Sequence, residues 1–205
     1  MKKIILFMYL CALTGTMSAQ LHMRDVFAQL PDSILPLLTK NNRLDCIDFI
    51  ENNMEARVKN RFDDQVVLET LTEDYFSIRV SEGCVVEMKL VPGNRDTLIC
   101  VNRTYHGPVE DSEVRVYDRN WQFLRIVQRP DIHAFVQPVG FIQPWTSERA
   151  DTLSMIRSEA CFLPLIRASL SAEHAQIVWT LQTKEFSKEI KKVAEKYLQS
   201  VKNDI

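Results

Sequence analysis

A change of hydrophobic period between Met54 and Phe76 constrains this chain more than any other feature. From Met23 the apolar residues recur at helical spacing as Met23, Val26, Phe27 and Leu30, and the pattern stops at Pro31. After a short turn over 34–38, Leu44, Ile47, Ile50 and Met54 define a second helical face, flanked by Cys46 and Phe49, with Asn41 or Asn42 as its cap. Later, Phe76, Ile78 and Val80 alternate with Ser77, Arg79 and Ser81, and Cys84, Val86, Met88 and Leu90 alternate with Val85, Glu87 and Lys89. The stretches 97–105 and 113–117 are rich in β-branched and aromatic residues. A period of two with one polar face describes antiparallel strands over a core. Turn residues at Glu82-Gly83, 92–95 and Gly107-Pro108 separate the runs. Helices followed by consecutive hairpins give an α+β fold: an antiparallel β-sheet with helices packed on it.

The second part of the chain repeats this grammar. Pro130, Pro138, Gly140 and Pro144 make 130–145 a connector rather than a regular element. A helix over about 147–160, with Leu153 and Ile156 inward, leads to strands near 165–170 and 177–183. The last helix is read from one stripe of Phe186, Ile190, Val193, Ala194, Tyr197, Leu198 and Val201, opposite a lysine-rich face whose Glu185–Lys188 and Glu189–Lys192 pairs suit solvent. The run 69–74 aligns with 168–173, which also brings Ile78 onto Ile177 and points to two helix-plus-sheet repeats, in halves 20–128 and 129–205 of a single domain.

Lys2 and Lys3 precede an apolar run over 4–13, and the chain then steps down to Met17-Ser18-Ala19. That run is short of the roughly 20 apolar residues a membrane span needs, so residues 1–19 read as a cleaved signal peptide with the cut after Ala19. The expected product is secreted, periplasmic or at the cell surface, with no membrane insertion after cleavage. The 27 acidic residues outnumber the 25 basic ones, two of which lie in the leader, so no attraction to nucleic acid is expected.

Cys11 leaves with the leader, and Cys46, Cys84, Cys100 and Cys161 remain, none in a C-x-x-C spacing. If Gly93-Asn94 centres its turn, paired positions in the hairpin sum to 187. Cys84 then lies on the buried face with Val86 and Met88, and Cys100 points the other way. The two sulfurs are not expected to bond.

The run 30–49, LPDSILPLLTKNNRLDCIDF, with Leu71-Thr72-Glu73-Asp74-Tyr75 and Val86-Glu87-Met88-Lys89-Leu90, resembles an uncharacterised family of secreted proteins from Bacteroidales bacteria, a domain of unknown function. The resemblance covers most of the mature chain. It implies export, α+β structure and a duplicated helix-plus-sheet unit similar to the β-lactamase-inhibitor-protein architecture. No functional residue comes with it.

Catalytic signatures are absent: there is no G-x-S-x-G, H-E-x-x-H, P-loop or G-x-G-x-x-G. The histidines His22, His106, His133 and His174 are scattered, and no metal or cofactor site is expected. The acidic runs Asp63-Asp64, Glu73-Asp74 and Glu110-Asp111-Ser112-Glu113 lack the alternating ligands of a calcium loop and read as turn chemistry. Trp179 is in phase with core residues. Trp121, after Arg119-Asn120, and Trp145, after Pro144, are the candidate ligand-binding residues, as aromatic platforms. The expected function is a non-enzymatic binding protein for a protein or glycan partner. A carboxylate-dependent hydrolase of unfamiliar type and a structural cell-envelope component are the alternatives.

Overall fold

The computed structural model describes residues 21–94, 96–137 and 146–205. Residues 1–19, which the sequence reads as a signal peptide, and Trp145 with Pro138, Gly140 and Pro144 of the expected connector lie outside them. Helices α1 (Met23–Ala28) and α2 (Lys40–Glu51) come first. Seven strands follow: β1 (Ala56–Lys59), β2 (Gln65–Leu71), β3 (Tyr75–Ser81), β4 (Cys84–Pro92), β5 (Thr97–His106), β6 (Glu110–Tyr117) and β7 (Phe123–Ile126). They form one antiparallel sheet in sequence order. Helices α3 (Ile132–Phe135) and α4 (Ser147–Phe162) lead to β8 (Ile166–Leu170) and β9 (Gln176–Leu181). After α5 (Lys188–Ala194), β10 (Val201–Asp204) completes a second sheet in the order β10-β9-β8. The α+β class read from the periods is the observed one.

Two cores share the large sheet, one on each face. On the first, α1, the turn over 30–38 and α2 cover Val66, Leu68, Phe76, Ile78, Val80, Val86, Met88, Leu90, Ile99 and Val101. These are the alternate residues of β2 to β5, as a period of two requires. On the opposite face, Tyr75, Cys100, Val114 and Val116 meet the small sheet and α3 to α5, with Trp179 buried among them.

Helix α2 is set differently from its apolar stripe. Thr39, rather than Asn41 or Asn42, is the N-cap, and Asn42 closes a capping box from the N3 position. The buried face is Arg43, Cys46 and Ile47, whereas Leu44 and Met54 are exposed. The cause is Arg43, which donates to the carbonyl oxygens of Leu38 at 2.9 Å and Leu30 at 2.7 Å, and to Asp32 at 3.2 Å. Those carbonyls belong to the irregular turn beneath the helix, and a guanidinium with five donors satisfies several at once. Its need for partners turns the helix by one residue.

The final stripe forms less helix than its spacing predicts. Helix α5 stops at Ala194. The next residues are captured by α3: Gln137 N–H donates to Tyr197 C=O at 2.9 Å and Gln199 N–H to Phe135 C=O at 3.0 Å. The chain then pairs as β10 with the otherwise open edge of β9, Val201 opposite Trp179. Tyr197 is still buried as the stripe requires, but in a turn in which its N–H donates to Ala194 C=O at 2.8 Å.

The β4–β5 hairpin turns one residue later than expected. Cys84 pairs with Tyr105 and Leu90 with Ile99, so positions sum to 189. Val91 and Pro92 continue the strand, and Gly93 N–H closes the turn on Asp96 C=O at 2.9 Å. A shift of two preserves the faces. Cys84 still lies toward the helix-side core and Cys100 in the opposite one, and all four cysteines are free thiols. The aligned runs 69–74 and 168–173 both belong to hairpins, but Leu68 pairs with Ile78 in one and Leu170 with Ile177 in the other. The acidic run 110–113 lies in β6 and not in a turn.

Candidate functional site

The β6–β7 turn builds the most exposed cluster of aromatic and apolar side chains on the large sheet. The Asp118 carboxylate accepts from Asn120 N–H and Gln122 N–H, both at 2.8 Å, and Trp121 N–H donates to Asp118 C=O at 3.1 Å. This Asx-type arrangement closes a tight turn. It forces Trp121 to φ 65°, a left-handed conformation that costs a bulky residue free energy. The ring repays part of this by packing. Its centroid lies 5.9 Å from that of buried Tyr117, which in turn meets Phe123 edge-on at 6.0 Å. Arg119 ties the turn to Asp96 of the neighbouring loop at 3.4 Å.

Beyond this turn, β7 ends the sheet, and no described strand pairs with its outer edge. A bulge between Val116 and Tyr117 places Phe123 opposite Tyr117 and Ile126 opposite Arg115. All four residues of β7 are exposed, with Phe123 at 54%, Leu124 at 50% and Ile126 at 43%. Sheet edges are normally blunted by charge, proline or a covering element. Here Arg125 is the only charged residue of the strand.

Of the two candidate tryptophans, Trp121 is therefore half-buried against the helix-side core, with one ring neighbour and a strained backbone. Trp145 lies outside the described residues. Strand β7 is not singled out by the periodicity, because a four-residue strand with three apolar side chains on a bulged edge shows no clean alternation. Three apolar residues beside a turn tryptophan were the available signal.

The densest convergence of polar side chains lies on the other face. Glu87 accepts from Tyr75 Oη–H at 2.9 Å, Asn102 Nδ2 at 2.7 Å, Ser169 Oγ at 3.3 Å and Leu170 N–H at 3.3 Å. Asn102 also donates to Ala168 C=O at 2.9 Å, Lys89 Nζ donates to Ala172 C=O at 2.7 Å and pairs with Asp74 at 2.8 Å, and Asp111 accepts from Ile166 N–H at 3.2 Å. These groups form a ladder along the outer edge of β8, which stands edge-on against the large sheet. Burial and the adjacent Glu87 charge hold the Tyr75 phenol proton above its ordinary value. The carboxylate is fully engaged by structural donors, which leaves it poorly disposed to act as a catalytic acid or base.

Elsewhere, Glu55, Arg57, Asp63, Asp64, Glu69, Arg79 and Glu82 line an open cavity of about 620 Å³ beside β1 to β3, with Arg57 paired to Glu55 and Arg79 to Glu69. His106 Nδ1 lies 2.8 Å from Glu110, which also reaches Arg167 at 3.2 Å. Among the described residues no group of three His, Cys, Asp or Glu is placed to hold a metal ion, and no helix is long and apolar enough to cross a membrane.

A family model described as "Protein of unknown function (DUF3256)" matches residues 15–203. The fold is similar to a solved domain of an uncharacterized protein from Porphyromonas gingivalis W83, with a TM-score of 0.69, 22% sequence identity, and coverage of 89% of this chain and 94% of that one. At this identity the likeness concerns the fold alone. No curated protein matches the chain.

Proposed function

We propose, for a chain that belongs to the DUF3256 family of proteins of unknown function, a non-enzymatic role as an exported binding protein whose β7 edge receives an extended segment of a protein partner. One observation carries the reading: an edge strand that pairs on its outer side with no strand among the described residues, with all four of its residues exposed and three of them large and apolar. An incoming strand would satisfy the unpaired backbone groups and cover Phe123, Leu124 and Ile126, which is the chemistry of strand addition. The strained Trp121 turn supports this by fixing where the edge begins. The engagement of Glu87 with β8 argues against the hydrolase alternative. A glycan partner is less well supported, because Trp121 packs one side of its ring region on Tyr117 instead of presenting an open platform.

The test is affinity capture from the native cell envelope by the wild-type protein and by Leu124→Lys and Ile126→Lys, with circular dichroism to show that the variants fold. The expected result is a protein whose binding weakens about five- to thirtyfold in both, since each buried anchor at an interface contributes on the order of 1–2 kcal/mol. Equal capture by wild type and variants would overturn the edge as the site. Capture of carbohydrate alone would overturn the protein partner.

A further inference from the structure

On the helix-side face, away from β7, the turn over 34–37 arches over β3, β4 and β5 and leaves a cavity of about 230 Å³. Pro36, Leu37 and Tyr105 present accessible apolar surface to it, Ile34, Val80 and Val86 are buried at its base, and Cys84 and Arg103 complete the wall. Arg103 is the one charged residue of its lining, beside the Tyr105 hydroxyl and the Cys84 thiol.

Arg103 is half-buried and donates Nη2 to Ile34 C=O at 2.7 Å. Its cross-strand neighbour Glu113 is engaged by Arg115 at 2.5 Å. No described carboxylate lies within 4.0 Å of Arg103, whereas Arg24, Arg43, Arg57, Arg61, Arg79 and Arg129 each have one. A guanidinium beside an apolar wall, with donors left over and no anion, is electrostatically complementary to a carboxylate carrying an apolar tail. A cavity of about 150 Å³ accepts benzene, so one of this size takes about nine non-hydrogen atoms, below the range of drug-sized pockets.

We infer that this cavity binds a medium-chain aliphatic carboxylate, its chain against Pro36, Leu37 and Tyr105 and its carboxylate on Arg103. The inference is independent of the partner proposed for β7 and stands or falls by a different measurement.

Cys84 provides the reporter and exposed Cys161 the internal reference, while Cys46 and Cys100 are buried. Alkylation of the folded protein by N-ethylmaleimide is followed at each cysteine by peptide mass analysis, without ligand, with octanoate, and with the equally long but uncharged octanol. Octanoate at about four times its Kd is expected to slow Cys84 about fivefold and leave Cys161 unchanged, by simple occupancy. Octanol is expected to protect far less. Arg103→Gln is expected to abolish the difference between octanoate and octanol, with circular dichroism confirming its fold. No protection by octanoate, equal protection by both compounds in the wild type, or parallel slowing of Cys161 would each overturn the inference, even if the variant does not fold.

Discussion

The two faces of the seven-stranded sheet are made by the same strands and are covered by opposite kinds of chemistry. On the helix side, rows such as Phe76, Ile78, Val86, Met88, Ile99 and Val101 interlock with apolar side chains of α1 and α2, and Phe27 meets Phe76 at 4.9 Å between ring centroids. On the other, Glu87, Lys89, Asn102, Thr104 and Ser112 lie where an exposed polar row would be expected, yet all but Glu87 are buried. They are tolerated there because β8 brings an unpaired strand edge to them. A polar row facing a second sheet can therefore replace a missing neighbour strand, with side chains supplying the hydrogen bonds that a backbone would. The first face is held mainly by non-directional burial, whereas the second joins an apolar core around Trp179 to directional bonds that tie β8 to the large sheet.

The difference can be broken first from the helix side. Phe76 is fully buried, and Phe76→Ala removes a large ring from a close-packed layer. An expected loss of about 3–5 kcal/mol in urea unfolding would exceed that of any single change in the ladder. A cost below that of Asn102→Ala would show that the polar face is the main support.

A smaller and more local effect is expected on the other face. Asn102 donates to both Glu87 and Ala168 C=O, and it is fully buried. Asn102→Ala leaves two acceptors short of a donor, at an expected cost of about 1–3 kcal/mol. The more telling readout is hydrogen exchange. The amides of Ile166 and Leu170, which donate to Asp111 and Glu87, are expected to lose protection selectively, while those of β3 and β4 keep theirs. Uniform loss across both sheets would mean that β8 does not depend on the ladder.

The same contrast explains what could be read from the residues alone. Alternation located β3 to β5 and their inward faces, because burial on one side of a strand leaves a period of two that no distant contact can erase. The ladder left no such trace: Glu87 and Lys89 look like solvent-facing residues until a strand from beyond residue 160 meets them. The buried face of helix α2 is hidden for a related reason, since a buried arginine reads as polar in any periodicity although Arg43 faces inward. The final stripe was correct about burial and wrong about conformation, because an amphipathic pattern does not record that α3 and the open edge of β9 compete for residues 197–204. The candidate edge β7 was missed beside a tryptophan that was noticed, since exposure of apolar groups follows from topology.

The smallest expected effect compares the faces through one thiol on each. Cys46 lies in the helix-side core and Cys100 in the opposite core, and burial pushes both up to about 12 from an ordinary value of 9.0. Each thiol thus stays protonated in the folded state at a pH where the unfolded chain has released its proton. Stability from this source is fully present below pH 9 and is lost as pH rises toward 12, because the unfolded state binds fewer protons throughout that window. Removing one thiol should therefore flatten the alkaline decline by about 1.4 kcal/mol per pH unit above 9. Urea unfolding of wild type, Cys46→Ala and Cys100→Ala at pH 8, 9, 10 and 11 separates this from the cost of the missing sulfur, which shifts every point equally. Tyrosines and lysines titrate in all three proteins and cancel in the differences. Both variants are expected to begin less stable than wild type at pH 8 and to approach it as the pH rises, with similar slopes, because both cores exclude water to a similar degree despite their different chemistry. A curve for Cys100→Ala that stays parallel to wild type while that for Cys46→Ala converges would show that water reaches the polar face, and that the ladder seals the second core less well than apolar packing seals the first.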